Sequence, residues 1–209
     1  LMNLNALYSH VHRDNSYSTV SASFATNFGG NERISDVTDP NFGSPENNAQ
    51  PGKLQIDLTH FRNITEAWAV FGKLTLVGSL DPLVDTQKFR VGGRTSVRGY
   101  ASSELAGDGG YAATLEIQRQ LMFGNNWPTR VFVFGDTGTV TRKNAAFLSF
   151  LSGFHVASSE SISGAGVGME TLLRGRYRVN LELAKQIGSQ ESVDGRDGVR
   201  VWFGLTADF

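Results

Sequence analysis

The chain has no cysteine, so no disulfide holds it, a usage compatible with the periplasm and the outer membrane. It also has no run near the roughly 18 apolar residues of a membrane helix, which excludes a helical membrane protein. That absence leaves a β-barrel open, because barrels hide their spans in alternation. A surplus of either charge is missing too. With a net charge of −1 there is no basic balance to suit nucleic acid, and no nucleic-acid partner is expected. Hydrophobic residues make up only 40% of the 209, low for a soluble core and ordinary for a barrel with a polar lumen. The opening Leu1-Met2-Asn3-Leu4-Asn5 lacks a basic start followed by an apolar run. An exported protein beginning this way is expected to be a mature form or a fragment.

What is present is alternation with period two, while helical spacing is nowhere convincing. Val199, Val201, Phe203, Leu205, Ala207 and Phe209 share one face of the last segment, opposite Arg200, Trp202, Gly204, Thr206 and Asp208. Tyr177, Val179, Leu181 and Leu183 oppose Arg178, Asn180 and Glu182. Leu54, Ile56 and Leu58 oppose Lys53, Gln55, Asp57 and Thr59. Leu115, Ile117 and Leu121 oppose Thr114, Glu116, Gln118 and Gln120, with Arg119 out of pattern. One face suits lipid and the other water. A soluble sandwich would show the same alternation, so connection lengths must decide.

About nine strands are expected, near 2–12, 16–29, 52–64, 66–79, 110–123, 129–142, 160–174, 176–187 and 197–209. The connections alternate between short and long. Short ones are 12–15, 63–66, 124–128 and Gly175; long ones lie near 30–51, 80–109, 143–159 and 188–196. Short periplasmic turns against long extracellular loops are the pattern of outer-membrane barrels. Counting back from Phe209 makes the first strand descend, so the chain would begin on the outer side. Bacterial barrels have even strand numbers and periplasmic termini, and the expectation is the C-terminal portion of a larger antiparallel, all-β barrel.

Two segments stand out from this background: Val91-Gly92-Gly93-Arg94-Thr95-Ser96-Val97-Arg98-Gly99-Tyr100 and Phe134-Gly135-Asp136-Thr137-Gly138. An arginine among small residues can be carried into a lumen, but it keeps its charge and needs a carboxylate there. In a solvated loop Arg98 would need none, and Asp136 would be a turn residue before Gly138 if the strand ends early.

The first run resembles the sixth extracellular loop of two-partner secretion transporters, the haemolysin secretion/activation family. That family lies in the superfamily of the barrel-assembly protein BamA. There the tip reads Val-Arg-Gly-Phe or Tyr, matched by Val97, Arg98, Gly99 and Tyr100, and Gly92-Gly93-Arg94 resembles the secretion branch. Phe134 to Gly138 is similar to the superfamily's Phe-x-Asp-x-Gly strand motif. The resemblance implies that loop 80–109 folds into the lumen and that Asp136 points inward. Arg98 is then expected between Glu116 and Asp136, with Gly99 supplying backbone freedom and Tyr100 packing near Phe134. Gly135 and Gly138 would let the strand bend or the loop approach. The strand Val199 to Phe209, with Trp202, Phe203 and Phe209, looks like the signal that hands barrels to the assembly machinery. Phe209 could also be a girdle aromatic.

By resemblance, the whole protein would sit integrally in the bacterial outer membrane, in contact with its lipid. It would carry periplasmic POTRA domains, absent here, and pass an unfolded secreted partner to the cell surface. A barrel-assembly factor, a passive pore or a small barrel enzyme are the alternatives. No cofactor is expected and no catalytic constellation is visible. His10 and His12 share a face without a third metal ligand, so no metal site is expected. Asp194-Gly195-Arg196-Asp197-Gly198 lacks a calcium ligand set and suits a turn. His155 beside Ser158 and Ser159 is the only serine–histidine candidate, with nothing else in support.

Overall fold

The computed structural model describes residues 2–14, 16–26, 52–123, 127–143, 145–146, 149, 153, 155–188, 190, 192–195 and 198–207. Nine strands form one antiparallel sheet in which every strand pairs with its neighbour along the chain. They are β1 (Met2–Val11), β2 (Tyr17–Thr26), β3 (Lys53–Asn63), β4 (Trp68–Ser79), β7 (Gly109–Phe123), β8 (Trp127–Thr141), β9 (Ser159–Leu173), β10 (Tyr177–Ile187) and β11 (Arg200–Ala207). Two short strands, β5 (Phe89–Val91) and β6 (Leu105–Gly107), pair separately within the connection from β4 to β7. All nine expected strands are present. The expected loop 30–51 lies outside the described residues. Among those described, no helix is long and apolar enough to cross a membrane.

Short turns keep the register. At the β9–β10 turn Arg174 and Gly175 both have positive φ, 52° and 68°, and Arg176 N–H donates to the Leu173 carbonyl at 3.1 Å. Two consecutive left-handed residues match the twist of a hairpin, which is why one glycine suffices there. The pairings then run without interruption, with Glu116 opposite Phe134 and Thr114 opposite Asp136. On β9 and β10, Gly168 lies opposite Glu182.

Because side chains alternate, this register puts Thr114, Glu116, Gln118, Phe134, Asp136, Asn180, Glu182, Arg200 and Trp202 on one face. Residues 80–109 pack on it, and it is the inner face. Leu115, Ile117, Val133, Val167, Leu181, Leu183, Val201, Phe203 and Leu205 stand exposed on the other. Such a polar inner and apolar outer wall reverses a soluble protein and matches a transmembrane barrel. Arg119, the break in pattern, lies outward with its guanidinium 5.2 Å from the Trp68 ring.

The inner face is not uniformly polar. At its long-loop end Val77, Val140 and Ile162 meet Phe89, Val91, Val97, Tyr100 and Leu105 in a buried apolar cluster. The expected bare connection 80–109 is therefore a folded insert: a 3-10 turn at Asp85–Gln87, a two-stranded hairpin and its own core. Gly92 and Gly93 make the bend after β5, with φ of +110° and +92° that only glycine adopts at little cost.

Candidate functional site: an arginine clamp on the inner wall

At the tip of the insert the backbone presses against the sheet. A Cβ on Gly99 would lie 2.9 Å from the Lys185 carbonyl, and one on Gly138 would lie 2.5 Å from Val91. Both glycines serve close approach. Gly99 has no positive φ among the described residues, so the expected backbone freedom is replaced by a steric requirement. Gly135 faces open space and plays no part in this contact.

The approach delivers Arg98, 5% exposed, to the inner wall. Its Nε and Nη2 donate to the two oxygens of Asp136, each at 2.8 Å, in a bidentate fork. Its Nη1 donates to Glu116 Oε1 at 2.8 Å and to Glu182 Oε2 at 3.1 Å. The Arg98 backbone N–H adds a third bond to Asp136, at 3.1 Å. Below the guanidinium lies the Phe134 ring, 3.3 Å from Cζ to the centroid. A planar cation stacked on an aromatic and forked onto a carboxylate uses geometry that lysine lacks.

Each carboxylate is held in turn. Thr114 Oγ1 donates to Asp136 at 2.9 Å, and Gln118 Nε2 donates to Glu116 at 2.8 Å. Arg94 donates from Nε and Nη2 to Glu182 Oε1, at 3.1 and 3.0 Å. Two arginines thus face three carboxylates. Burial disfavours the Arg98 charge, yet Asp136 and Glu116 hold its pKa above the ordinary arginine value.

Glu116 and Asp136 come together as the sequence placed them, and Phe134 adds its ring. One expectation about aromatics changes. Tyr100 is not beside Phe134 but in the apolar cluster above, its hydroxyl donating to the Gln190 carbonyl at 3.1 Å, while Phe134 packs with Phe132 and Ala184. Trp202, named among the signal residues of its strand, faces inward as the alternation places it and donates from Nε1 to the Arg98 carbonyl at 2.9 Å. Phe203 points outward, and Phe209 lies outside the described residues.

Sequence reasoning missed three further contributors. Glu182 was assigned to the polar face, but nothing local showed that it meets a loop 84 residues away. The carboxylates of β7 and β10 are three strand spacings apart, roughly 14 Å on a flat sheet. They converge on one nitrogen because the sheet curls. Glu104 forms a second fastening: Oε2 accepts from Ser192 Oγ at 2.6 Å and Oε1 from the Val193 N–H at 2.6 Å. Arg200 extends it, donating to the Gly99 carbonyl at 3.2 Å and to both oxygens of Asp194 at 2.8 Å. Asp194-Gly195 accordingly forms a turn pinned to β11, with Gly195 at φ +67°. Third, Asp108, 1% exposed, accepts from the Leu83 and Lys143 N–H groups at 2.7 and 2.8 Å and ties the insert's ends together.

No group of three acidic or histidine side chains that could hold a metal occurs among the described residues. His155 is exposed ahead of β9. The arrangement is one of position: charge, aromatic stacking and close backbone contact hold an insert against a wall.

The family model described as haemolysin secretion/activation protein ShlB/FhaC/HecB matches residues 3–171. No curated protein matches the sequence. Among solved structures, CdiB from Escherichia coli has a similar fold, with a TM-score of 0.71 and 19% sequence identity. The alignment covers 95% of this chain and 34% of CdiB, so this chain spans about a third of that structure's length.

Proposed function

The chain belongs to the haemolysin secretion/activation family, and from that premise we propose that it is the C-terminal part of a two-partner secretion pore in the bacterial outer membrane. An unfolded secreted partner protein passes through the complete barrel to the cell surface, without nucleotide hydrolysis. Residues 80–109 brace the lumen, and Arg98 is the brace's anchor. The observation that carries this reading is the clamp. A loop folded onto the inner face places a buried arginine on three carboxylates from three strands, β7, β8 and β10. An isolated pore wall has no need of that arrangement. A loop that must hold its place while polypeptide moves past it does.

Removing one partner from a buried ion network leaves the others uncompensated, at a cost of about 3–5 kcal/mol. In the full-length transporter Arg98→Ala is expected to reduce export of the partner while the barrel still inserts at normal abundance. Unchanged export by that variant would remove the role assigned to the clamp.

A further inference from the structure

On the outer face, at the short-turn end of β1–β3, a polar cluster lies where apolar side chains are expected. The register aligns His10, Ser18 and His60 in one row across three strands. His12 Nε2 and Ser18 Oγ are 3.0 Å apart, and Ser18 Oγ and His60 Nδ1 are 2.9 Å apart. Next to them Arg62 Nε lies 3.7 Å from Asp14 Oδ2, and Asp14 is fixed by the N–H of Ser16 at 3.1 Å. His12, Arg13, Asp14, Ser16, His60 and Arg62 enclose an open cavity of about 370 Å³.

A second space adjoins it. An open groove of about 350 Å³ runs along the sheet with Val20, Leu58, Gly72 and Leu74 in its lining and shares His60 with the polar cavity. Gly72 leaves the groove unfilled: a Cβ there would meet nothing within 4 Å. Donors and guanidinium groups at one end and an apolar trough at the other match an amphiphile with an anionic head. The middle of the outer face is apolar, with Leu115, Ile117, Val133, Val167 and Leu181 exposed, so histidines and arginines at the short-turn end are placed at the level where a bilayer presents its headgroups. Basic groups at that level recognise lipid phosphates.

We propose that this is a glycerophospholipid site, the phosphodiester bound by Arg62, Arg13, His12 and His60 and an acyl chain laid over Gly72. Asp14 beside Arg62 also provides a carboxylate for an amino headgroup. The inference rests on the outer-membrane reading above. A free phosphate would use the same donors but not the groove.

The test is native mass spectrometry of the full-length transporter, extracted in detergent and titrated with phosphatidylethanolamine or phosphatidylglycerol. Wild type is expected to retain a bound lipid that excess inorganic phosphate does not displace. The double variant His60→Ala/Arg62→Ala should lose it by about tenfold in affinity, roughly 1.4 kcal/mol. Gly72→Leu, whose Cβ would meet nothing within 4 Å, puts a side chain into the trough and should lower retention with the head site intact. Equal retention by wild type and both variants would overturn the site. Displacement by phosphate together with indifference to Gly72→Leu would overturn the lipid assignment and leave an anion site. Fractionation of the same wild-type protein checks the premise separately, since absence from the outer membrane would sink that reading whatever the lipid result.

Discussion

Arg98 shows why side-chain type outweighs charge at this site. Its fork takes both oxygens of Asp136, its remaining face reaches Glu116 and Glu182, and its plane stacks on Phe134. A lysine would keep the charge but lose the bidentate bond and the stacking. Arg98→Lys should therefore fall between wild type and Arg98→Ala in resistance of the folded full-length barrel to heat in detergent. Glu182→Gln should cost least, because Asp136 and Glu116 still face Arg98. Heat titration on semi-native gels reads this order, and a lysine variant as stable as wild type would refute the geometric argument.

At the scale of elements, β11 divides its labour between its faces. Arg200 and Trp202 catch the carbonyls of Gly99 and Arg98, while Val201, Phe203 and Leu205 face outward. A charge at Phe203 would stand in the apolar band without disturbing the clamp. Arginine on the lipid face of a barrel costs about 2–4 kcal/mol at the midplane and less toward the interfaces. Phe203→Arg is expected to lower the amount of full-length protein assembled in the outer membrane, measured by heat-modifiable mobility. Per assembled molecule, export should be unchanged. Lost export at normal assembly would show that the outer face of β11 has a role in the pore itself.

For the molecule as a whole, the clamp, the Glu104 fastening and the apolar cluster fix one folded insert against a curled sheet. Its attachment points span β4, β7, β8, β9, β10, β11 and the turn before β11, so releasing the insert is a concerted event. Asp136 lies at the centre, and without it Arg98 loses its fork and its backbone partner together. Asp136→Ala is expected to expose the peptide bond after Arg98 to trypsin in the full-length protein at least tenfold faster than in wild type, since losing one partner of a buried ion network costs about 3–5 kcal/mol. Equal cleavage rates would mean that the apolar cluster and the Glu104 fastening hold the insert without the clamp.

The nine-strand meander was legible in the amino-acid order because alternation and turn chemistry are local. Leu181 and Leu183 against Asn180 and Glu182 declare their faces within one strand, and short turns declare the pairing. Asp136 and Glu116 could be paired with Arg98 because they sit on adjacent strands with a recognisable motif. Other features had no local signature. The convergence of Glu182 depends on how far the sheet curls. The bond from Trp202 to the Arg98 carbonyl, the displacement of Tyr100 from Phe134 and the meeting of Glu104 with Ser192 depend on where the insert comes to rest. The sequence by itself determined which residues stand on the apolar outer face and which on the inner face, since that follows from a period of two. Only the tertiary structure decided which inner-face residues meet, since that follows from curvature and from where residues 80–109 pack on the sheet.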